Sequence, residues 1–367
     1  MNPIKKPMTY NFGAGPAMMP APVMQAAHEE WFDWQHQGMS IVEIGHRTSA
    51  YMAMMADAEA CLRTLLAIPK SYHVLFLGGA ARTQFSMIPM NLLTQHQQGG
   101  YVVSGIWSEM ACEEARQIKS AYCIANSEAE GFIDVPQPSH DQIQDNTAYI
   151  YYTSNETING VRFPEPPRCG SELPLVVDMT SSLLSEPLTI TDYGLIFAGS
   201  QKNIAPAGLT VVIVRKDLLA HDPGVPIPTM LDYRVHASHH SLYATPPSFS
   251  CYMALKMFQW LQDQGGIDVV HQVNLRKAAA LYDYIDGSTF YEAKVVPAAR
   301  SIMNVCFNVP TVALEEAFVT QATQAGLYAL KGHRRVGGLR ASLYNAMPMT
   351  GVDALLEFMA DFAKANQ

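Results

Sequence analysis

The sequence predicts an α/β fold: a large domain on a mostly parallel sheet, followed by a small α+β domain. Three observations predict it. From residue 73 to about 215, short apolar runs alternate with segments of helical period, the pattern of strand–helix units that stack into a parallel sheet. Beyond Gln264-Gly265-Gly266-Ile267 the order changes to long helices with scattered short strands. A chain of 367 residues also exceeds what one hydrophobic core ordinarily serves. The expected division is an N-terminal segment (1–19), a large domain (20–264) and a small domain (265–367).

Each element has its own signal. Residues 1–19 are rich in Pro and Gly and read as extended. Val23, Ala26, Ala27, Trp31 and Trp34 recur at helical spacing and predict a helix over 21–37. A loop carrying His46 and Arg47 leads to a second helix over 49–67, with Met55, Ala58, Leu62 and Leu66 on one face. Its Met-rich start reads as core filling. Strands are expected at 73–77, 101–104, 121–124, 148–152, 175–178, 195–198 and 209–214, with helices from about 83 to 96 and after Trp107. Helices follow at 247–263 and 267–286, strands near 289–296 and 301–308, and a helix at 311–325. Apolar segments at 327–330 and 339–344 precede a last helix striped by Val352, Leu355, Leu356, Met359 and Phe362, with Thr350 as its expected N-cap.

Bulk chemistry narrows the function. The net charge of −9 disfavours a nucleic-acid surface but leaves room for a local basic patch on a small anionic substrate. Six scattered cysteines without a CxxC pair point away from a zinc cluster or a disulfide framework. The N-terminus has no apolar signal segment and no apolar run reaches membrane-spanning length. A soluble cytoplasmic protein is expected.

Chemistry concentrates around Lys202, on a short polar connection between the apolar runs 195–198 and 209–214. A lone turn lysine is ordinarily a solvated one. Twenty-four positions upstream, however, Val176-Val177-Asp178 ends another buried run with a carboxylate. A strand-end Asp with a strand-end Lys suits pyridoxal phosphate: the Asp keeps the ring nitrogen protonated and the Lys holds the aldehyde. Gly78-Gly-Ala-Ala-Arg-Thr83 lies between a strand and a helix. By itself it reads equally well as a tight turn or as an anion cup of backbone N–H groups; it is neither GxGxxG nor a Walker loop.

The run Ala198-Gly-Ser-Gln-Lys-Asn-Ile-Ala-Pro-Ala-Gly-Leu-Thr210 resembles the lysine segment of the phosphoserine aminotransferase family, fold-type I enzymes dependent on pyridoxal 5'-phosphate. The likeness extends from Asn11-Phe-Gly-Ala-Gly-Pro-Ala17 to Gly332-His-Arg-Arg-Val-Gly-Gly-Leu-Arg-Ala-Ser342. The resemblance implies cofactor contacts from Ala81, Arg82, Trp107, Thr157, Asp178, Gln201 and Lys202, and from Thr245 across a homodimer interface. Ala244 stands where the family carries Asn, so its contact is expected without a side-chain hydrogen bond. For the substrates, L-glutamate and 3-phosphohydroxypyruvate, the resemblance assigns Arg340 to the α-carboxylate. His46, Arg47, His333 and Arg334 fall to the distal anion, with contributions from two subunits; Arg335 receives no role. The other readings are another class-V enzyme, such as an alanine–glyoxylate transaminase or a cysteine desulfurase, or a non-catalytic cofactor-binding relative. Retention of both Asp178 and Lys202 weighs against the last.

Overall fold

Seven of the expected strands pair into one sheet whose two faces are both covered. The computed structural model describes residues 9–167, 169–170 and 172–366; residues 1–8 of the expected N-terminal segment lie outside them. After a short strand β1 (Tyr10–Asn11) come helices α1 (Ala21–Glu29) and α2 (Ser49–Leu65). The alternation then runs β2 (Tyr72–Gly78), α3 (Thr83–Leu92), β3 (Gln98–Val103), α4 (Ile106–Ile118), β4 (Ala121–Asn126) and β5 (Thr147–Thr153). A small hairpin, β6 (Asn155–Glu156) and β7 (Val161–Arg162), precedes β8 (Leu175–Asp178), β9 (Leu195–Gly199) and β10 (Leu209–Arg215). The spatial order is β2-β10-β9-β8-β5-β3-β4. Only β10 runs antiparallel to its neighbours.

Strand β10 shows why the sheet strands read as continuous apolar runs. Val211 and Ile213 point into a core shared with α1, α2 and α6 (Ser248–Asp263), whereas Val212 and Val214 point into a core under α3 and α4. Alternating side chains face opposite sides, so a doubly covered strand has no polar face. Between β10 and α6 lies a short helix α5 (Tyr233–Ser238).

A third core holds the C-terminal part together. Helix α7 (Ile267–Asp286) starts in the first core with Ile267 and Val270 and ends in the third with Leu281 and Ile285. There it meets β11 (Asn304–Phe307), α8 (Val312–Gln324), β12 (Leu327–Tyr328), β13 (Leu339–Ser342) and α9 (Met349–Asn366). β11 pairs with β13, and β1 pairs with β12, so Tyr10 and Phe12 pack in this core although they lie at the other end of the sequence. Lys277 on α7 is fully buried and donates to the carbonyls of Leu343, Tyr344 and Met347 at 2.8, 2.9 and 3.1 Å. Burial pushes its amine down to about 7.

Four expected elements differ. The helix over 21–37 stops at Glu29; beyond it Gln35 and His36 turn left-handed (φ 51° and 58°) and Asp33 Oδ1 takes the Gly38 N–H at 2.7 Å, so the expected last turns form a separate loop. Helix α3 ends at Leu92, after Pro89, rather than near 96. Near 289–296 only an isolated bridge forms, Glu292 to Asn308; the N–H groups of Phe290 and Tyr291 go to the Ser288 hydroxyl instead of a ladder. Thr350 sits inside the first turn of α9, where its hydroxyl accepts from Tyr10 at 3.2 Å. Among the described residues, no helix is long and apolar enough to cross a membrane.

Candidate active site

Strands β2, β3, β5, β8 and β9 run in one direction, so Gly78, Val103, Thr153, Asp178 and Gly199 end at the same edge of the sheet. Ligand crevices of α/β sheets lie at this edge. A cavity of about 320 Å³ opens there, lined by Ala81, Arg82, Trp107, Thr157, Asp178, Gln201, Lys202, His333 and Arg340 among others. One chain therefore brings together nine of the residues singled out from sequence.

Lys202 is buried, and its Nζ donates to the Thr157 hydroxyl. Burial is the main cause that pushes this amine down to about 8; Arg340 acts in the same direction, while Asp178 and Glu156 oppose it. About a tenth of such an amine is unprotonated at pH 7, far more than for a solvated lysine. Asp178, at the end of β8, is held up by burial against the opposing pull of Thr180 and Lys202. Its Oδ1 accepts the Thr180 N–H at 2.8 Å, which fixes the carboxylate's direction into the cavity.

At the start of α3, the first backbone bond of the turn is Thr83 N–H to Ala80 O at 3.0 Å. The N–H groups of 80–82 precede it and make no hydrogen bond among the described residues. They lie at the positive end of a helix, where unpartnered backbone N–H groups can take an anion. A Cβ on Gly199 would sit 2.6 Å from Gln201 Oε1 and 3.1 Å from the Ala81 Cβ. A side chain there would force Gln201 to move and would crowd Ala81, so glycine keeps the lysine turn close to the start of α3. The Arg82 guanidinium lies over the Trp107 ring at 5.0 Å.

Sequence reasoning missed Glu156. This fully buried carboxylate accepts from Trp107 N at 2.9 Å, Ser108 N at 2.8 Å and the Ser108 hydroxyl at 2.6 Å, capping α4. It thereby fixes the backbone of Trp107. A Cβ on Gly105 would meet Glu156 at 2.5 Å, so the glycine admits the carboxylate. Burial pushes the Glu156 carboxyl up to about 7. Its place in Asn155-Glu156-Thr157, beside a singled-out threonine, was the available signal. Thr153, Asn155 and Ser181 also line the cavity and were not foreseen.

Arg340 and His333 form another wall of the cavity. Arg340 Nη1 donates to Thr157 O at 3.2 Å, and its Nε is buried without a partner. Burial and the neighbouring Arg340, Arg334 and Arg335 hold His333 below the usual imidazole range. Arg335 pairs with Glu109 on α4 at 2.9 Å, tying the His333 loop to the helix of Trp107. Arg334 is exposed and lines no cavity described here.

Four expected site residues stand elsewhere in this chain. His46 and Arg47 line a separate cavity of about 390 Å³ with His239 and His240, and His46 Nε2 is buried without a partner. Ala244 and Thr245 are outside the cavity around Lys202.

The arrangement offers a buried amine of depressed pKa, a buried carboxylate, a helix N-terminus for a dianion and a guanidinium for a carboxylate. Comparisons with known proteins agree with that chemistry. The family described as Aminotransferase class-V matches residues 9–355. The phosphoserine aminotransferase of Legionella pneumophila (strain Paris) is 58% identical, covering 97% of this chain and 98% of its own. That of Laribacter hongkongensis is 51% identical over 97% of this chain and 99% of its own. The solved phosphoserine aminotransferase of Bacillus circulans subsp. alkalophilus superposes with a TM-score of 0.95 at 44% identity, covering 99% of this chain and 100% of that one.

Proposed function

The chain belongs to the class-V aminotransferases, in the phosphoserine aminotransferase family, and on that footing we propose the roles of its residues in amino transfer. The reaction is the transfer of the amino group of L-glutamate to 3-phosphohydroxypyruvate, which yields O-phospho-L-serine and 2-oxoglutarate in serine biosynthesis. The cofactor is pyridoxal 5'-phosphate. The residues present fit it: an anion cup at 80–82 without internal partners, a buried carboxylate facing the cavity, and a buried amine. When bound, pyridoxal phosphate supplies an aldehyde that takes up amino groups and a ring that withdraws electrons from the substrate Cα.

The single observation that carries the assignment is the burial of Lys202 and Asp178 in one cavity, facing Thr157 and Arg340. Lys202 Nζ would hold the aldehyde, and its free amine would move the proton at substrate Cα. Its depressed pKa keeps a usable fraction free to do so. Asp178 would hold a proton on the ring nitrogen, while Ala81, Arg82 and Gln201 would receive the phosphate. Trp107 and Thr157 would bound the ring, and Arg340 would receive the α-carboxylate, where its unpartnered Nε would gain an acceptor. His333 and Arg334 serve the distal anion.

A homodimer supports the remaining assignments. His46 and Arg47 lie outside the cavity of their own chain, so their role requires a second copy that brings them to its site, and likewise Thr245 and Ala244. Trp31, Phe32, Met39, Met52 and Tyr243 are exposed, and a second copy would cover such surface. Residues 20–264 and 265–367 are proposed as the two domains, after an N-terminal entry segment, 1–19. A cytoplasmic setting accords with six free thiols. The route to pyridoxine, through the phosphorylated four-carbon keto acid, is a second substrate proposed for the same site. Borohydride reduction of the holoenzyme followed by peptide mapping is expected to place the pyridoxyl group on Lys202; finding it on another lysine overturns the assignment.

A further inference from the structure

Three successive carbonyls, of Leu183, Leu184 and Ser185, each accept an amide N–H from a different asparagine. Asn203 Nδ2 reaches Leu183 O at 3.2 Å, Asn345 Nδ2 reaches Leu184 O at 2.8 Å and Asn274 Nδ2 reaches Ser185 O at 3.0 Å. The asparagines are also tied to one another. Asn345 N donates to Asn203 Oδ1 at 3.0 Å, and Asn274 Nδ2 to Asn345 Oδ1 at 2.9 Å. All three are buried, at 2%, 7% and 0% exposure for Asn203, Asn345 and Asn274.

The turn they hold is unusual. Leu184 has φ 67°, a backbone state that a branched side chain adopts only where its surroundings enforce it. That turn follows the strand ending in Asp178; Asn203 is the next residue after Lys202; Asn345 lies just past β13, which carries Arg340; Asn274 is on α7, the helix passing between the cores. One knot therefore joins the segments of the carboxylate, the amine and the guanidinium.

Stability alone gives no reason for amides here. Burying an amide costs free energy unless each polar atom finds a partner, and Asn274 Oδ1 has none. Apolar side chains would bury the same interface without that penalty but would tolerate sliding. A directional network admits one register. We propose that the Asn203–Asn345–Asn274 knot is a positioning device, with Asn345 the residue that sets where Arg340 stands relative to Lys202. This rests on the roles given above to those two residues. Neither Asn345 nor Asn203 touches the reacting atoms; Asn203 acts through the adjacent Lys202, and Asn345 through β13, which carries Arg340.

The test is kinetic and uses the holoenzyme. Asn345→Ala is expected to keep the cofactor, judged by its visible absorbance. It should lower kcat/KM for both phosphoserine and glutamate about 10- to 100-fold, the scale of a misplaced reactive group. In an Arg340→Met background the same change should add little, because both act through one guanidinium. The control is Asn91→Ala, which removes a buried asparagine bonded to Met87 O, Leu231 O and Tyr233 N at the far end of α3. It should lower Tm while leaving kcat/KM unchanged. Overturning results are an Asn345→Ala enzyme that loses only Tm, or losses that add in the double variant. Should Asn345→Ala not fold, Asn203→Ser is read in the same way, and unchanged kcat/KM there overturns the proposal. Failure of the underlying roles looks different: Arg340→Met alone would then keep normal kcat/KM.

Discussion

On one side of the cavity, Lys202, Asp178 and Glu156 are buried, and burial dominates the shift of each group. On the other side, in the 333–335 loop, Arg334 and Arg335 stand in solvent and His333 is half-buried. The two walls obey different electrostatics. A charge in a dry wall feels its neighbours strongly, because little water screens them, whereas an exposed guanidinium is screened within about 8–10 Å at ordinary salt. The buried wall is complete within one chain; the cationic wall is divided between the 333–335 loop and, by proposal, His46 and Arg47 of a second copy. The difference teaches that burial sets the electrostatics of one wall, while solvent screens the other.

The largest expected effect tests the buried wall. Lys202→Ala should lower amino transfer from phosphoserine by at least about 10³-fold, since both the anchoring amine and the proton carrier are lost. Single-turnover absorbance measures it, with Tm as the check on folding. Activity within tenfold of the parent would dissolve the contrast between the walls.

The cationic wall comes next. Arg47→Ala should cost phosphoserine about 2–5 kcal/mol of transition-state binding, the scale for losing one partner of a desolvated charge pair. Alanine, which lacks a distal anion, should lose far less. Parallel kcat/KM measurements decide it; equal losses would make Arg47 mere surface charge.

The buried wall also predicts opposite signs for two neighbours of Lys202. In the apoenzyme, the pH dependence of lysine acylation should report an amine near 8. Arg340 lowers that value, so Arg340→Met should raise it; Glu156 raises it, so Glu156→Gln should lower it. The folded pKa lies below the ordinary 10.5. The contribution of Lys202 to apoenzyme stability is therefore fully present above pH 10.5 and lost as pH falls towards 8. Two shifts of the same sign would show that these charges act through structure instead.

The smallest effect belongs to the exposed pair. Arg335 and Glu109 retain 50% and 20% of their side-chain exposure, and such a pair contributes about 0.2–1 kcal/mol. Arg335→Ala should change KM for phosphoserine only a few-fold, and the change should vanish at high salt. A large, salt-independent loss would mean that the 333–335 loop behaves like the buried wall.

Much of this was legible beforehand, and the failures share a cause. The sheet strands stood out because burial on both faces leaves uninterrupted apolar runs such as 209–214. Lys202 and Asp178 stood out because each ends or follows such a run. The helix expected over 21–37 ended at Glu29, and Asp33 took a backbone N–H in the loop beyond it; the strand near 289–296 failed where Ser288 took two. Neither capture leaves a mark in hydrophobic periodicity. Glu156 and Arg335 were passed over because their partners lie at Trp107, Ser108 and Glu109, tens or hundreds of positions away.

The sequence by itself determined the order of elements, the depth of the sheet and the identity of the chemical groups, because periodicity and turn composition act over a few residues. Only the tertiary structure decided how those groups feel one another. The descent of Lys202 to about 8, the capture of Trp107 by Glu156 and the meeting of Asn203, Asn274 and Asn345 at one turn all arise between distant segments. So does the exclusion of His46 and Arg47 from their own chain's cavity. Burial and long-range hydrogen bonds are properties of the packed chain, and no local pattern encodes them.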